Sequence, residues 1–483
     1  MKTLVLIIFI FFSPLICASQ DASQAEIFLA QGKLSYDAQK YEKAIGDFTK
    51  AINLNPKYSD AYYWRGMSHY SMLTYDKAIE DYSVSIEINP KLPETYYWRG
   101  NAHYALRQDD KALIDYNKAI SLKSDYYQAY YWKGRTYYEL KQDDKAIENF
   151  NRAVQLNPGY RETYFWRGQC FYSKKQYEDA IVDYNKSLSL KENDPEVLYW
   201  RANAYFSLKN YPEAIQDFNS AAKIKPEYAE VYFYRGKVKY YLKQFNEALA
   251  DFQKATSLKK NYADAFYWEG VIYYFQLNYD SAISLCSKAI EINSKHADAF
   301  YYRALAKYAL KKDDEAILDF DKSITLTPAA DAYYWRGLSK YNQQDFADAI
   351  PDFSKSIELD PAGTSTPNYF YYRGNSYYSL KLYADAITDF SKAIELNPSG
   401  PKSYTYFYYR ANSYYGLKKD DYAVKDFTQA ISLKPDFADA WYYRGTANFY
   451  LGQKDLSLND INKAIELDPK NSKYLNFKSA NFK

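Results

Sequence analysis

The stretch Tyr62-Tyr63-Trp64-Arg65-Gly66 returns along the chain at a constant step. The next three copies are Tyr96-Tyr97-Trp98-Arg99-Gly100, Tyr130-Tyr131-Trp132-Lys133-Gly134 and Tyr164-Phe165-Trp166-Arg167-Gly168. A short unit that is repeated many times buries its apolar faces against its neighbours rather than in one large core. We therefore expect the 483 residues to form a stack of small, similar units.

The glycine of this stretch occupies a position that we call the glycine slot. It sets the register for thirteen repeats. In most units alanine follows at position +12, an aromatic residue at +16 and alanine or serine at +19, as in Ala78, Tyr82 and Ser85. Spacings of three and four place these residues on one face of a helix, which Pro90 ends. The pattern predicts a first helix over 60–72 and a second over 76–88, and the short link makes them antiparallel.

Two helices in each repeat of about 34 residues, an aromatic stretch before a glycine, Ala-x-x-x-aromatic and a closing proline resemble the tetratricopeptide repeat family. The resemblance covers residues 22–470. It implies an all-α fold, a right-handed superhelical α-solenoid of antiparallel helix pairs. Residues 471–483 are predicted to form a C-terminal capping helix that shields the last unit.

Arginine precedes the glycine where the family usually has leucine, and aspartate follows sixteen residues later. In two repeats that lose the arginine the aspartate changes too, since Glu269 meets Leu285 and Lys133 meets Asn149, whereas Gln31 in the first repeat still meets Asp47. We therefore expect a structural ion pair between the two helices of one repeat. The predicted pairs include Arg65 with Asp81, Arg99 with Asp115, Arg201 with Asp217, and Arg336 with Asp352.

The N-terminus has a different pattern from the repeats. Lys2 precedes an apolar run over 4–12, and small residues follow at Ala18 and Ser19. This order is typical of a secretory signal peptide, so we expect residues 1–19 to direct export to a periplasm, an endomembrane lumen or the exterior. An alternative is a surface protein anchored by a lipid on Cys17, although Ile16 is a poor residue before such a cysteine. The mature sequence contains no segment that predicts a transmembrane span.

Charge and motif content argue against several functional classes. The chain has 62 basic and 60 acidic residues, so nothing favours a nucleic-acid partner. Neither a phosphate-binding glycine loop nor zinc-spaced cysteines are present, and His69 and His103 alone make a poor metal site. Cys170 and Cys286 lie in units too distant for a disulfide bond. We therefore expect a protein without enzymatic activity, cofactor or metal.

One stripe of the first helix, at positions −6, −3, +1 and +4 from the glycine slot, is rich in rings, carboxylates and amides. In tetratricopeptide proteins the corresponding face lines a concave groove that holds a ligand. The resemblance thus implies that this groove binds a protein or an extended peptide. The residues predicted to line it are Tyr97, Asn101, Tyr104, Tyr131, Arg135, Phe165, Gln169, Tyr199, Asn203, Phe233, Lys237, Tyr371, Asn375, Tyr408 and Asn412.

Two alternatives for this stripe stay open. Sugar rings also pack on aromatic faces, so a cell-surface or cell-wall polysaccharide is a second candidate ligand. The other alternative is that the rings are core residues that pack on each other. The family's carboxylate clamp needs Lys, Asn and Arg where this chain has Tyr63, Trp64, Tyr97 and Trp98, so a receptor for chaperone tails is not expected.

Overall fold

The computed structural model describes residues 23–482. The predicted signal peptide over 1–19, including Cys17, lies outside these residues. Every regular element within 23–482 is a helix, and this part of the chain contains no strand. The all-α class predicted from the repeat is confirmed.

The chain divides into two compact units, one ending at Leu242 and the other beginning at Lys243. In each unit, consecutive helices pack against one another as tandem pairs. The first unit contains α1 (23–37), α2 (Tyr41–Leu54), α3 (Ser59–Ser71), α4 (Tyr75–Ile88), α5 (Pro93–Ala105), α6 (Asp109–Leu122), α7 (Tyr127–Glu139), α8 (Asp143–Leu156), α9 (Arg161–Ser173), α10 (Tyr177–Leu190), α11 (Pro195–Ser207), α12 (Tyr211–Ile224) and α13 (Ala229–Tyr241). The single domain over 22–470 stays a prediction.

The second unit has the same alternation of first and second helices. It contains α14 (Phe245–Leu258), α15 (Ala263–Phe275), α16 (Tyr279–Ile292), α17 (Ala297–Ala309), α18 (Asp313–Leu326), α19 (Ala330–Asn342), α20 (Phe346–Leu359), α21 (Thr366–Ser379), α22 (Tyr383–Leu396), α23 (Ser403–Gly416), α24 (Asp420–Leu433), α25 (Ala438–Tyr450), α26 (Lys454–Leu467) and α27 (Ser472–Asn481). The predicted bounds of α3 and α4 differ from the observed ones by one residue at most.

The turn inside each helix pair depends on one residue with a positive φ at position +7. In the second repeat this residue is Leu73, with φ of 60°. The Leu73 amide donates to the Tyr70 carbonyl at 2.9 Å, and the Thr74 amide donates to the His69 carbonyl at 2.9 Å. These bonds satisfy carbonyls that the end of a helix leaves open, and they reverse the chain over a short turn.

The core of each repeat lies between its two helices. In the third repeat Ala112, Tyr116 and Ala119 on α6 have no exposed surface. A Cβ atom added at Gly100 would lie 2.8 Å from the Tyr116 ring, closer than carbon atoms pack. The glycine slot is therefore the point where the ring of the second helix crosses the first helix.

The hydroxyl groups of these core tyrosines differ in their partners. Tyr116 donates a hydrogen bond to Asn101 Oδ1 at 2.8 Å. The buried hydroxyl oxygens of Tyr82 and Tyr184 have no hydrogen-bond partner within residues 23–482. A buried polar atom without a partner costs free energy, whereas a satisfied one contributes modestly.

We therefore expect Tyr82→Phe and Tyr184→Phe to leave the free energy of unfolding unchanged or to raise it. Tyr116→Phe removes the donor to the buried Asn101 and is expected to lower that free energy by about 1 kcal/mol. Urea denaturation followed by circular dichroism measures all three variants. Equal losses for the three would contradict the expectation.

The last helix, α27, covers the end of the second unit. Tyr474 is only 1% exposed, and its ring stacks on Tyr442 with centroids 4.8 Å apart. Its hydroxyl donates to Asp439 Oδ1 at 2.8 Å. The helix Ser472–Asn481 thus packs on the preceding pair, while the capping role of 471–483 stays a prediction.

Two further features bear on location and chemistry. Across residues 23–482, the helices are all too short or too polar to cross a bilayer. Cys170 in the first unit and Cys286 in the second are buried free thiols. Burial raises the pKa of Cys286 to about 12, so this thiol is unreactive in the folded chain.

Candidate functional site

The residues predicted to line a groove all lie on first helices, but most of them have little accessible surface. Only five keep intermediate exposure, and none is fully exposed. The five are Tyr104, Arg135, Lys237, Tyr371 and Tyr408. The buried ones are Tyr97, Asn101, Tyr131, Phe165, Gln169, Tyr199, Asn203, Phe233, Asn375 and Asn412. This burial corrects the expectation of an open wall at positions −3 and +1.

The rings at position −3 are covered by the repeat that follows. The Tyr97 ring lies 5.0 Å from the Tyr126 ring, between centroids, and 5.2 Å from its neighbour Trp98. Tyr131 with Tyr160 and Tyr199 with Tyr228 repeat the first contact, at 5.0 and 5.2 Å. In these three repeats an aromatic residue just before the next first helix therefore closes over the ring behind it.

The amides at position +1 are mostly used inside the fold. Asn101 accepts from Tyr116, and Asn203 Nδ2 donates to the Tyr199 carbonyl at 2.8 Å. Asn375 and Asn412 donate in the same way to the carbonyls of Tyr371 and Tyr408, at 3.1 and 2.9 Å. These amides are not an open ladder for a ligand backbone.

The cations at position +1 lie over aromatic rings. Arg135 has its guanidinium carbon 3.2 Å from the centroid of Trp166, and its Nη2 donates to Glu139 and to Tyr104, each at 3.4 Å. Lys237 Nζ lies 5.6 Å from the Phe206 centroid. Burial raises the pKa of Tyr131 to about 12, in spite of the nearby Arg135. The ring hydroxyls of this region therefore stay protonated at neutral pH and act as hydrogen-bonding groups.

A second set of rings, at position −2, was missed by the sequence reasoning. Most of these rings meet the position +4 ring of the preceding repeat edge to face, as Trp98 meets Tyr70 at 5.2 Å and Trp132 meets Tyr104 at 5.3 Å. The signal was available, because both positions are aromatic in most repeats. In the first unit the set comprises Trp64, Trp98, Trp132, Trp166, Trp200 and Tyr234, which keep intermediate exposure.

The carboxylates at position −6 are the accessible part of the stripe. In the first unit Asp60 and Glu196 are exposed, and the Glu162 side chain keeps 42% of its surface. In the second unit Asp264, Asp298 and Asp331 are exposed. Each lies in the first turn of its helix, where the helix dipole favours a negative charge.

A notch in the first unit joins these carboxylates to the rings. It has a volume of about 180 Å³ and lies between the first helices of neighbouring repeats. Its walls include Asp60, Tyr63, Trp64 and Glu94. Two carboxylates beside two rings form a place that attracts a positively charged side chain.

The arginine that precedes most glycine slots joins three helices, as Arg99 shows. Arg99 Nε and Nη2 donate to both carboxylate oxygens of Asp115, at 2.9 and 2.8 Å. Its Nη1 donates to Ser83 Oγ on the second helix of the preceding repeat, at 3.1 Å. The sequence predicts the first contact but not the second.

The same geometry recurs in the other predicted pairs. Arg65 donates to Asp81 at 3.0 and 2.7 Å, and Arg201 donates to Asp217 at 2.7 Å through both nitrogens. Arg336 also bonds both oxygens of Asp352, with Nε at 3.0 Å. A buried carboxylate held by two parallel bonds from an internal arginine is a structural arrangement.

The part of the chain that the structure describes holds no group of three or more side chains able to bind a metal ion. His103 is buried, and its Nδ1 lies 2.8 Å from Gln108 Oε1. Burial also lowers the pKa of His103, so this ring is neutral near pH 7.

Comparison with models of known families identifies the same repeat that the sequence pattern predicts. The family models described as "TPR repeat" and "Tetratricopeptide repeat" together match more than half of the chain. The former matches 32–72, 74–107, 134–174, 168–209, 202–242 and 236–276. The latter matches 93–126, 263–296, 330–362, 367–399 and 438–471.

Solved structures provide further similarities, whereas no curated protein matches the sequence. The C-terminal part of a TPR repeat-containing protein from Cytophaga hutchinsonii is 23% identical over 50% of this chain and 98% of that chain, with a TM-score of 0.42. A tetratricopeptide repeat protein from Parabacteroides merdae is 21% identical over 52% and 98%, with a TM-score of 0.40. A chain of the APC/C hetero-tetramer Cut9-Hcn1 is 13% identical over 95% and 96%, with a TM-score of 0.39.

Proposed function

Since this chain belongs to the tetratricopeptide repeat family, whose members are generally non-enzymatic scaffolds for protein interactions, we propose that it binds an extended, positively charged segment of a partner protein along its first helices. The accessible row of carboxylates at position −6 carries the proposal. In the notch of the first unit, the half-exposed rings of Tyr63 and Trp64 lie beside two of these carboxylates. Rings and carboxylates together suit lysine and arginine side chains, through ion pairs and cation–π contacts.

The proposal includes export. It rests on the signal-peptide pattern over residues 1–19, with lipid attachment at Cys17 as the alternative. Cell fractionation and the mass of the mature N-terminus test it. A mature protein that begins at Met1 and stays with the cytoplasmic fraction would overturn this part without touching the binding proposal.

Binding to defined peptides tests the carboxylate row. We expect a fluorescent twelve-residue peptide of alternating lysine and asparagine to bind, and its glutamate counterpart not to bind. The triple variant Glu94→Gln, Glu162→Gln, Glu196→Gln is expected to weaken binding about tenfold or more, because each exposed ion pair contributes up to about 1 kcal/mol. Fluorescence anisotropy measures the dissociation constants, and binding should weaken as salt is added.

A matched control removes the same number of carboxylates from second helices. Glu80→Gln, Glu148→Gln and Glu213→Gln change exposed residues outside the stripe and are expected to leave binding within about twofold. Equal losses in the two triple variants would show non-specific charge attraction and overturn the site. Binding of neutral cell-wall oligosaccharides, with no response to either peptide, would favour the polysaccharide alternative.

A further inference from the structure

The eighth repeat lacks the arginine that joins the helices of its neighbours. In the ninth repeat Arg303 donates to both oxygens of Asp319, at 2.8 and 2.6 Å. Its Nη1 donates to Ser287 Oγ at 3.0 Å, and its guanidinium carbon lies 5.4 Å from the Phe300 ring centroid. A carboxylate, a neutral acceptor and an aromatic ring thus surround the Arg303 guanidinium.

The eighth repeat keeps these surroundings but not the cation. Phe266 stands in the slot of Phe300, and Gln253 in the slot of Ser287. The carboxylate has moved to Glu269, in the place of the arginine itself, while Leu285 replaces the aspartate. A cleft of about 600 Å³ opens here in the second unit, and Gln253, Thr256 and Phe266 are among its walls.

Glu269 is a buried carboxylate with one satisfied oxygen. It is 5% exposed, and Thr256 Oγ1, at the wall of the cleft, donates to Oε1 at 2.8 Å. Within residues 23–482 Glu269 accepts no other hydrogen bond and makes no ion pair. Burial raises the pKa of Glu269, as expected for a buried carboxylate whose negative charge is not fully compensated by a nearby cation.

Lys288, whose charge acts on the Glu269 carboxylate, does not make the ion pair that equivalent lysines make. In three other repeats the equivalent lysine pairs with a glutamate three residues later, as Lys355 does with Glu358 at 2.6 Å. Lys288 instead lies over the Phe266 ring, with Nζ 5.6 Å from the centroid, and Glu291 makes no ion pair with any residue that the structure describes. An internal ammonium thus partly fills the place of the missing guanidinium.

We propose that this cleft binds the guanidinium group of an arginine side chain supplied by a partner protein. The arginine would lie on the Phe266 ring and donate to Glu269 and to Gln253, as the internal arginines do in neighbouring repeats. Lys288 would turn to Glu291, which restores the pair seen elsewhere, while Lys260 stays at the rim. The cleft is formed chiefly by second helices, so it does not depend on the carboxylate row of the first helices.

Methyl NMR on the full chain tests the cleft directly, because Ile292 is one of its walls. The probe is N-acetyl-arginine amide, with N-acetyl-lysine amide and inorganic phosphate for comparison. A single arginine is expected to bind with a dissociation constant on the order of 1–10 mM and to shift the Ile292 methyl signal. The lysine probe is expected to bind more weakly, since an ammonium cannot reach both acceptors in one plane.

Three variants make the test decisive. Glu269→Gln keeps the shape and is expected to abolish the shift, whereas Lys288→Gln removes the competing ammonium and is expected to tighten binding severalfold. The double change Glu269→Arg, Leu285→Asp restores the internal pair and is expected to abolish binding; if it fails to fold, Glu269→Gln carries the test. A shift caused by phosphate but not by the arginine probe, and lost in Lys288→Gln, would show an anion site and overturn the proposal. Absence of any shift with the arginine probe would also overturn it.

Discussion

Replacing Arg99 by alanine is expected to lower the free energy of unfolding of the first unit by about 3 kcal/mol or more. The change leaves Asp115 buried without its cation, since the Asp115 side chain is only 4% exposed. It also removes the bond from Arg99 to Ser83 of the preceding repeat, 3.1 Å long. Urea denaturation followed by far-ultraviolet circular dichroism measures the loss as a lower midpoint.

The chain supplies its own control for this change. In the fourth repeat Lys133 and Asn149 occupy the slots of the arginine and the aspartate, so a neutral partner is tolerated there. The double variant Arg99→Lys, Asp115→Asn copies that pair and is expected to recover most of the lost stability. If the double variant is as unstable as Arg99→Ala, the unpaired carboxylate is not the cause of the loss.

Replacing Phe150 by alanine is expected to cost about 3–5 kcal/mol, because a buried ring is lost and the cavity cannot close completely. Phe150 has no exposed surface, and a Cβ atom at Gly134 would lie 2.8 Å from its ring. The ring therefore fills the space between α7 and α8 at the glycine slot. Denaturation of the purified variant measures the effect, and hydrogen exchange locates it in these two helices.

Other repeats show which smaller side chains fit the slot of Phe150. Ile461 occupies it in the last repeat and is fully buried, with Cδ1 3.0 Å from a Cβ atom built at Gly445. Phe150→Ile is thus expected to cost less than alanine, about 1–2 kcal/mol. A loss below about 1 kcal/mol for Phe150→Ala would mean that neighbouring rings refill the space.

The repeat register was sufficient to predict most of the fold. The constant step between glycine slots predicted the helix pairs, and the shared loss of Arg and Asp at Glu269 and Leu285 predicted the ion pairs elsewhere. These features depend on contacts inside one repeat, and a periodic sequence reveals such contacts.

The candidate surface was predicted less well, because its exposure depends on contacts between neighbouring repeats. If one helix is considered alone, the ring at position −3 is accessible. Tyr126, from the following repeat, closes over Tyr97, and the Tyr116 hydroxyl uses the amide of Asn101. Large aromatic side chains at successive positions leave little room between first helices, so the accessible groups are the short carboxylates at the helix starts.

The placement of the buried ion pair within one repeat affects how an array of repeats can evolve. An aspartate that pairs with an arginine of this kind finds it within the same repeat, and of the bonds that Arg99 makes only the Nη1 bond reaches the preceding repeat. A whole repeat that is duplicated or deleted within an array therefore leaves no charge stranded in the interior. Unequal recombination in the gene would lengthen or shorten the array in single steps, and the number of sites offered to a long partner would change with it.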